Sequence, residues 1–158
     1  MVLVLLGTQV NDFSSLLVEV EKLVTNGTID EEVIVQKGVT KYQSNKMQSF
    51  DLIPKDQIEY YKEQANYIIT HGGVGSILSS IKMGKKVIAV PRLKEYGEHV
   101  NNHQLQIVEK FAEQGYIIGV TDLSKLEEAV KGIPSFLPKE YKSNTDNMID
   151  LIDKFINS

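Results

Sequence analysis

The chain has no cysteine in its 158 residues, which excludes disulfides and thiolate metal sites and fits a reducing compartment. It also has no surplus of positive charge. Seventeen basic side chains against 21 acidic ones leave a net charge of −4, so there is no bulk positive field to hold duplex nucleic acid or an anionic membrane. Long hydrophobic runs are missing too. The opening apolar stretch, Val2 to Leu6, has no basic segment before it and no small-residue cleavage site after it, so it reads as a strand and not as a signal peptide. No other segment approaches the roughly 20 apolar residues that span a bilayer. Repeats, linkers and low-complexity segments are absent, and the length suits a single domain over residues 1–158.

The chain does show alternation. Val2 to Leu6 is closed by Gly7, and Phe13, Leu16, Leu17, Val20, Leu23 and Val24 then recur at helical spacing, a first βα unit. EEVIVQKG (31–38) supplies a second strand, and VTKYQSNKMQSF (39–50), polar and weakly periodic, is expected to be irregular. DLIPKDQIEYYKEQA reads as a short extended piece and then a helix with Pro54 in its first turn. NYIIT, GSILSSIKMG and KKVIAVP follow as strand, helix and strand, the last stopped by Pro91. VNNHQLQIVEKFAEQG predicts a helix ending at Gly115, YIIGV a last strand, and Asp122 or Ser124 a cap for a short helix. In the tail, 139–158, Tyr141, Met148, Leu151, Ile152, Phe155 and Ile156 share one side of an amphipathic helix.

Alternating strands and helices imply an α/β domain with a Rossmann-like parallel sheet and helices on both faces. Ligands in such sheets bind at the carboxyl ends of the strands. Three stretches fall there: GTQ (7–9), THGGVGS (70–76) and PRLKEYGEHVNNHQ (91–104). If they share one edge, they make one site.

The glycine-rich stretch points to an anion. Gly72, Gly73 and Gly75 lack the Cβ atoms that would keep a phosphate off the backbone, and a helix starting near Gly75 or Ser76 aims its free N–H groups and positive dipole end at that spot. His71 can donate a further hydrogen bond. The alternative is that the glycines only permit a tight turn and close helix packing. The pattern is not a Walker A loop, since no G-K-[ST] follows; GVGSIL lacks the third glycine of a dinucleotide fingerprint; and no G-x-S-x-G nucleophile elbow is present. His99 and His103, four apart with Glu95 and Glu98 nearby, could hold a metal, the basis of a competing metal-hydrolase reading. Glu98, Asn101, Asn102, His103 and Gln104 beside a phosphate loop suit a polyhydroxylated ligand better, because amides and carboxylates serve hydroxyl groups well.

The segment ITHGGVGSILSSIKMGKKVIAVPRLKEYGEHVNNHQLQIVEKFAEQGYI resembles the donor-binding domain of the MurG-type glycosyltransferases. It is especially similar to their split members, in which the two halves of a GT-B enzyme are separate chains. These include the soluble catalytic subunit of the UDP-N-acetylglucosamine transferase of N-glycan precursor assembly, and bacterial capsule and exopolysaccharide subunits. VLVLLGTQVNDFSSLL and VIVQKG resemble the first strands of the same subunits, so the likeness runs from residue 2 to about 120.

The resemblance implies a single GT-B half and an inverting transferase that passes a hexose, galactose or N-acetylglucosamine, from a UDP-sugar to a lipid-linked saccharide acceptor. A membrane-anchored partner subunit would hold the acceptor. This chain would be cytoplasmic, peripheral at the inner face of the membrane through that partner, and active only with it. Carried over by position, Gly72, Gly73 and Gly75, with His71 and Ser76, hold the diphosphate, His71 as the catalytic member. Gly7 and Thr8 line the same cleft, Glu98, Asn102, His103 and Gln104 face the sugar or ribose, and uracil sits near the backbone of Leu52 and Ile53. No metal or other cofactor is implied. Many relatives carry a ribose-binding glutamate where this chain has Ser79, and no general base is evident, which keeps a non-catalytic enhancer or scaffold subunit as the alternative.

Overall fold

The computed structural model describes residues 1–7, 12–92 and 103–141. The elements run β1 (Val2–Leu5), α1 (Ser14–Thr25), β2 (Val33–Gln36), β3 (Gln48–Phe50), α2 (Lys55–Gln64), β4 (Tyr67–His71), α3 (Val74–Lys82), β5 (Val87–Val90), α4 (His103–Glu113), β6 (Ile118–Gly119) and α5 (Leu126–Gly132). The strands form one six-stranded sheet in the order β3-β2-β1-β4-β5-β6, every pairing parallel. The Rossmann-like α/β expectation is met. Residues β1, β2, β4 and β5 are buried throughout, as strands covered on both faces must be, and their Val/Ile/Leu content follows from that burial.

Alternate strand residues feed opposite layers. Val2, Val4, Leu6, Ile69, Ile88 and Val90 pack with α1 and α5 residues such as Leu16, Val20, Leu126 and Val130. On the other face Leu3, Leu5 and Ile68 meet the α2 side, and Val87 and Ala89 meet Ile77, Ile107, Val108 and Phe111 of α3 and α4. The direction of strand addition reverses between β1 and β4, and this reversal opens a crevice at their carboxyl ends. Leu5 lies opposite Thr70, so Gly7 and His71 both emerge at that crevice.

Two sequence expectations change. Residues 39–50 are not wholly irregular: Gln48 to Phe50 form β3, with the ladder extended by Lys37 N–H to Phe50 O and Gly38 N–H to Asp51 O, each 2.9 Å. This edge strand is three residues long and mostly exposed, so it needs no apolar alternation. Pro54 stands just before α2, in an extended conformation at the N-cap, and not inside its first turn.

The loop between β2 and β3 is tied to α1. The buried Thr40 Oγ1 accepts from Phe13 N–H at 3.0 Å, and Asp12 Oδ1 accepts from Lys41 N–H at 3.0 Å. Farther along, Tyr42 Oη and Ser44 Oγ both donate to the Glu21 carboxylate. The Ser44 and Tyr42 hydrogen bonds hold the Glu21 pKa below its ordinary value, while Tyr42 is pushed up to about 12 by desolvation and the Glu21 bond. Because the folded carboxyl titrates below the unfolded one, this tie is fully present above the unfolded pKa and is lost as pH falls through the folded one. A carboxyl-carbon NMR titration should place Glu21 below an ordinary glutamate, and Glu21→Ala should speed tryptic cleavage after Lys41 or Lys46 at neutral pH.

Candidate anion-binding site

The site is built where β1, β4 and β5 end. Gly7 follows β1 with φ +77°, a conformation that favours glycine, and a Cβ there would stand 2.6 Å from His71 Nε2. A Cβ on Gly73 would fall on the His71 ring from the other side. The imidazole is therefore packed between two glycines, with 6% of its surface exposed. Gly73 N–H donates to His71 Nδ1 at 3.1 Å, and Nε2 lies 3.2 Å from Ser76 Oγ. A ring nitrogen that accepts a backbone N–H carries no proton, so this network assigns the neutral tautomer with its hydrogen on Nε2, donating to Ser76. The Ser76 hydroxyl, accepting in that tautomer, keeps its own proton to donate.

Gln104, in the first turn of α4, braces the loop from beneath. Its Oε1 accepts from Gly72 N–H at 3.1 Å and Arg92 N–H at 3.0 Å, and its Nε2 lies 3.3 Å from His71 Nδ1. At 4% exposure it is turned inward. A Cβ on Gly72 would come within 2.8 Å of Gln104 Cβ, so Gly72 is small to admit α4. Among the three loop glycines, Gly75 alone has nothing within 4 Å of its would-be Cβ, and it is exposed. Both readings of the glycines thus have a place: Gly72 and Gly73 serve close packing, and Gly75 leaves open space at the helix end.

That helix end supplies the donors. Ile77 N–H bonds Gly73 O at 3.1 Å, and the N–H groups of Val74, Gly75 and Ser76 precede it in the first turn of α3, where no earlier turn offers a carbonyl. Together with the Ser76 hydroxyl and the helix dipole they suit a phosphate group.

Two buried cations flank this turn, and neither was singled out by sequence reasoning. Arg92, 1% exposed, reaches from the end of β5 across β4 to donate to Leu6 O at 2.5 Å, with its guanidinium 4.8 Å from the Phe13 ring centroid. An arginine directly after the proline that stops a strand, at the ligand-binding edge, was the available signal. Lys62 donates to Ser79 Oγ at 2.7 Å, and Ser79 in turn donates to Ser76 O at 3.2 Å. Ser79, the departure from the resembled pattern, is therefore engaged by a lysine of α2.

Beside the crevice, at the ends of β2 and β3, lies a cavity of about 860 Å³ lined by Lys37, Val39, Lys41, Tyr42 and Leu52 among others. Ile53 N–H, expected near a base, donates to the buried Gln36 Oε1 at 3.0 Å, whereas Leu52 is exposed. His103 is half-buried at the start of α4. Thr8, Gln9, Glu95, Glu98, His99, Asn101, Asn102 and the tail after Tyr141 lie outside the described residues. Among the described residues no helix is long and apolar enough to cross a membrane.

An open parallel sheet whose strand order reverses beside the start of α3 puts the candidate site where nucleotide-binding domains of this doubly wound class hold their ligands. Comparison with known proteins narrows this. The glycosyltransferase family 28 C-terminal domain matches residues 1–155, and the chain belongs to that family. A Candida glabrata protein described as UDP-N-acetylglucosamine transferase subunit ALG13 is 34% identical over 84 residues, covering 51% of this chain and 40% of the relative. The Saccharomyces cerevisiae protein of the same description is 35% identical over 72 residues, 46% of this chain and 33% of the relative. The chain thus aligns over less than half the length of these relatives. Among solved structures, the solution structure of ALG13 superposes with a TM-score of 0.63 at 21% identity, covering 99% of this chain and 96% of that one. The calicheamicin glycosyltransferase CalG4 superposes with a TM-score of 0.58 at 15% identity over 99% of this chain but 38% of that one. These likenesses place the fold as one half of a GT-B glycosyltransferase.

The different duties of the glycines can be separated by chemical denaturation. Gly75→Ala should leave stability unchanged or raise it by up to about 1 kcal/mol, since alanine favours a helix and meets no neighbour. Gly73→Ala should cost about 1–3 kcal/mol by driving a methyl group into the His71 ring.

Proposed function

We propose that this chain is the donor-binding, catalytic subunit of a two-component inverting glycosyltransferase, passing a hexose from a UDP-sugar to a lipid-linked acceptor. The observation that carries the reading is the first turn of α3 at the switch point, where the N–H groups of Val74, Gly75 and Ser76 have no earlier helical turn to bond and a Cβ on Gly75 would meet nothing within 4 Å. Transfer from a sugar nucleotide develops negative charge on the departing diphosphate, and donors fixed at a helix end stabilise that charge without reorganising. The reaction on this reading needs no metal. Membership of the glycosyltransferase family supports it, as does the description of the relatives as UDP-N-acetylglucosamine transferase subunits, which favours N-acetylglucosamine over galactose.

In this reading the diphosphate lies on Val74, Gly75 and Ser76, with Gly7 as the facing wall. His71 and Gln104 act from behind as positioning residues, because their polar atoms bond the loop itself. The nucleoside extends toward the cavity beside Leu52, and Thr8, Glu98, Asn102 and His103 line the donor side. A single half provides one wall of a GT-B cleft, so a membrane-anchored partner holding the acceptor supplies the other, with the general base, and brings this chain to the inner face of the membrane. Capsule or exopolysaccharide synthesis is the setting we favour. A second reading, a non-catalytic enhancer subunit, draws on the internal engagement of His71, Gln104 and Ser79.

Calorimetric titration with UDP, UDP-N-acetylglucosamine and UDP-galactose in the presence of chelator tests the donor reading. All three should bind, the N-acetylglucosamine donor best among the sugars, and Ser76→Ala should weaken UDP about tenfold by removing one charge-assisted hydrogen bond. Absence of binding by every donor, with the partner subunit present, would overturn it. Full transferase activity of a complex carrying Gly73→Val would favour the enhancer role.

A further inference from the structure

Lys62 sits near the end of α2 with 6% of its surface exposed. Taking an ammonium out of water is costly unless a counter-charge meets it. The other inward-reaching lysines have visible structural duties. Lys85 Nζ donates to the carbonyls of Glu63 and Ala65 at the end of α2, Lys86 Nζ to those of Ile133 and Pro134, and Lys37 pairs with Asp51 at 3.6 Å. Among the described residues Lys62 meets only the Ser79 hydroxyl, at 2.7 Å. Glu59, exposed one turn earlier on α2, attracts it through space without forming an ion pair, and burial outweighs that attraction, pushing the Lys62 pKa below its ordinary value. Nor does Ser79 depend on the lysine, since its Oγ donates to Ser76 O at 3.2 Å.

The position of this charge gives it a use. Ser79 lies one helical turn beyond Gly75 and Ser76, on the same side of α3. The space beside Gly75 is open, and the ammonium stands at the foot of that side, two hydrogen bonds from the Ser76 backbone. A buried cation near the N-terminus of a helix adds to the dipole there and is weakly screened by salt.

We propose that Lys62 is a buried electrostatic anchor for the diphosphate held on the first turn of α3, with the bound anion as its counter-charge. This rests on the donor-binding reading and assigns the charge that reading leaves unused. Lys62 acts through Ser79 and through space, so it is a positioning residue. The cost of holding an uncompensated ammonium in the empty protein is recovered when the anion arrives.

The test compares wild type, Lys62→Met and Lys62→Arg by calorimetry with UDP, inorganic pyrophosphate and uridine, together with the melting temperature of each ligand-free protein. Lys62→Met should bind UDP and pyrophosphate about tenfold more weakly, the order expected for unit charges roughly 10 Å apart at an effective dielectric constant of about 20. Its uridine affinity should be unchanged, its ligand-free melting temperature should rise, and Lys62→Arg should recover most of the anion affinity. A lysine with a purely structural duty behaves otherwise: Lys85→Met should lower the melting temperature and leave pyrophosphate binding alone. Wild-type affinity for UDP and pyrophosphate in Lys62→Met, or equal losses of uridine and anion binding with a lowered melting temperature, would overturn this inference and leave the donor reading standing. Failure of the wild type to bind either UDP or pyrophosphate with the partner subunit present would overturn both.

Discussion

The side-chain amide of Gln104 accepts from the backbone of Gly72 and of Arg92 and approaches His71, joining the ends of β4 and β5 to the start of α4. The rest of the site follows from that join. With Gly72 drawn against α4, the chain turns directly into α3, and the His71 ring fills the gap left by Gly7 and Gly73. Both buried side chains satisfy backbone N–H groups that would otherwise be orphaned at a strand-to-helix junction, at a cost of about 1–3 kcal/mol each. The lower half of the loop is thus filled with protein, while the N–H groups of the next three residues, in the first turn of α3, have no earlier helical turn to bond.

The electrostatics are local. The whole chain is negative, which is unfavourable for a polyanion such as nucleic acid. Around α3, among the described residues, two cations are withdrawn from solvent close to an exposed helix N-terminus: Arg92 and Lys62. Surface charges a Debye length away, about 8–10 Å in ordinary salt, are largely screened, whereas buried ones are not. A small, doubly charged ligand can therefore be favoured by a protein whose overall field opposes larger anions.

Much of this was legible along the chain. Continuous apolar runs identified the four inner strands because those strands are covered on both faces, and the repeat of strand and helix dictated parallel pairing. The edge strand β3 was not legible, since Gln48 and Ser49 face solvent and only backbone pairing defines it. The glycine-rich loop stood out in the sequence, yet composition could not divide its glycines between those that admit a neighbour and the one that leaves space. Gln104 is the sharper case. A polar residue near a ligand edge reads as a ligand contact, while its buried position under Gly72 depends on how α4 docks against β4 and β5.

What the sequence determined by itself is periodic and local: strand and helix alternation, the edge at which loops gather, and a glycine-bounded helix start that suits an anion. These depend on neighbours a few residues away, where spacing is preserved in any fold. The tertiary structure alone decided which polar groups face the crevice and which support it. His71 is enclosed by Gly7 from a distant strand, Arg92 reaches back to Leu6, and Lys62 crosses from α2 to α3. Each of these contacts joins residues far apart in the chain, and a side chain's direction is set by whichever partners packing brings to it.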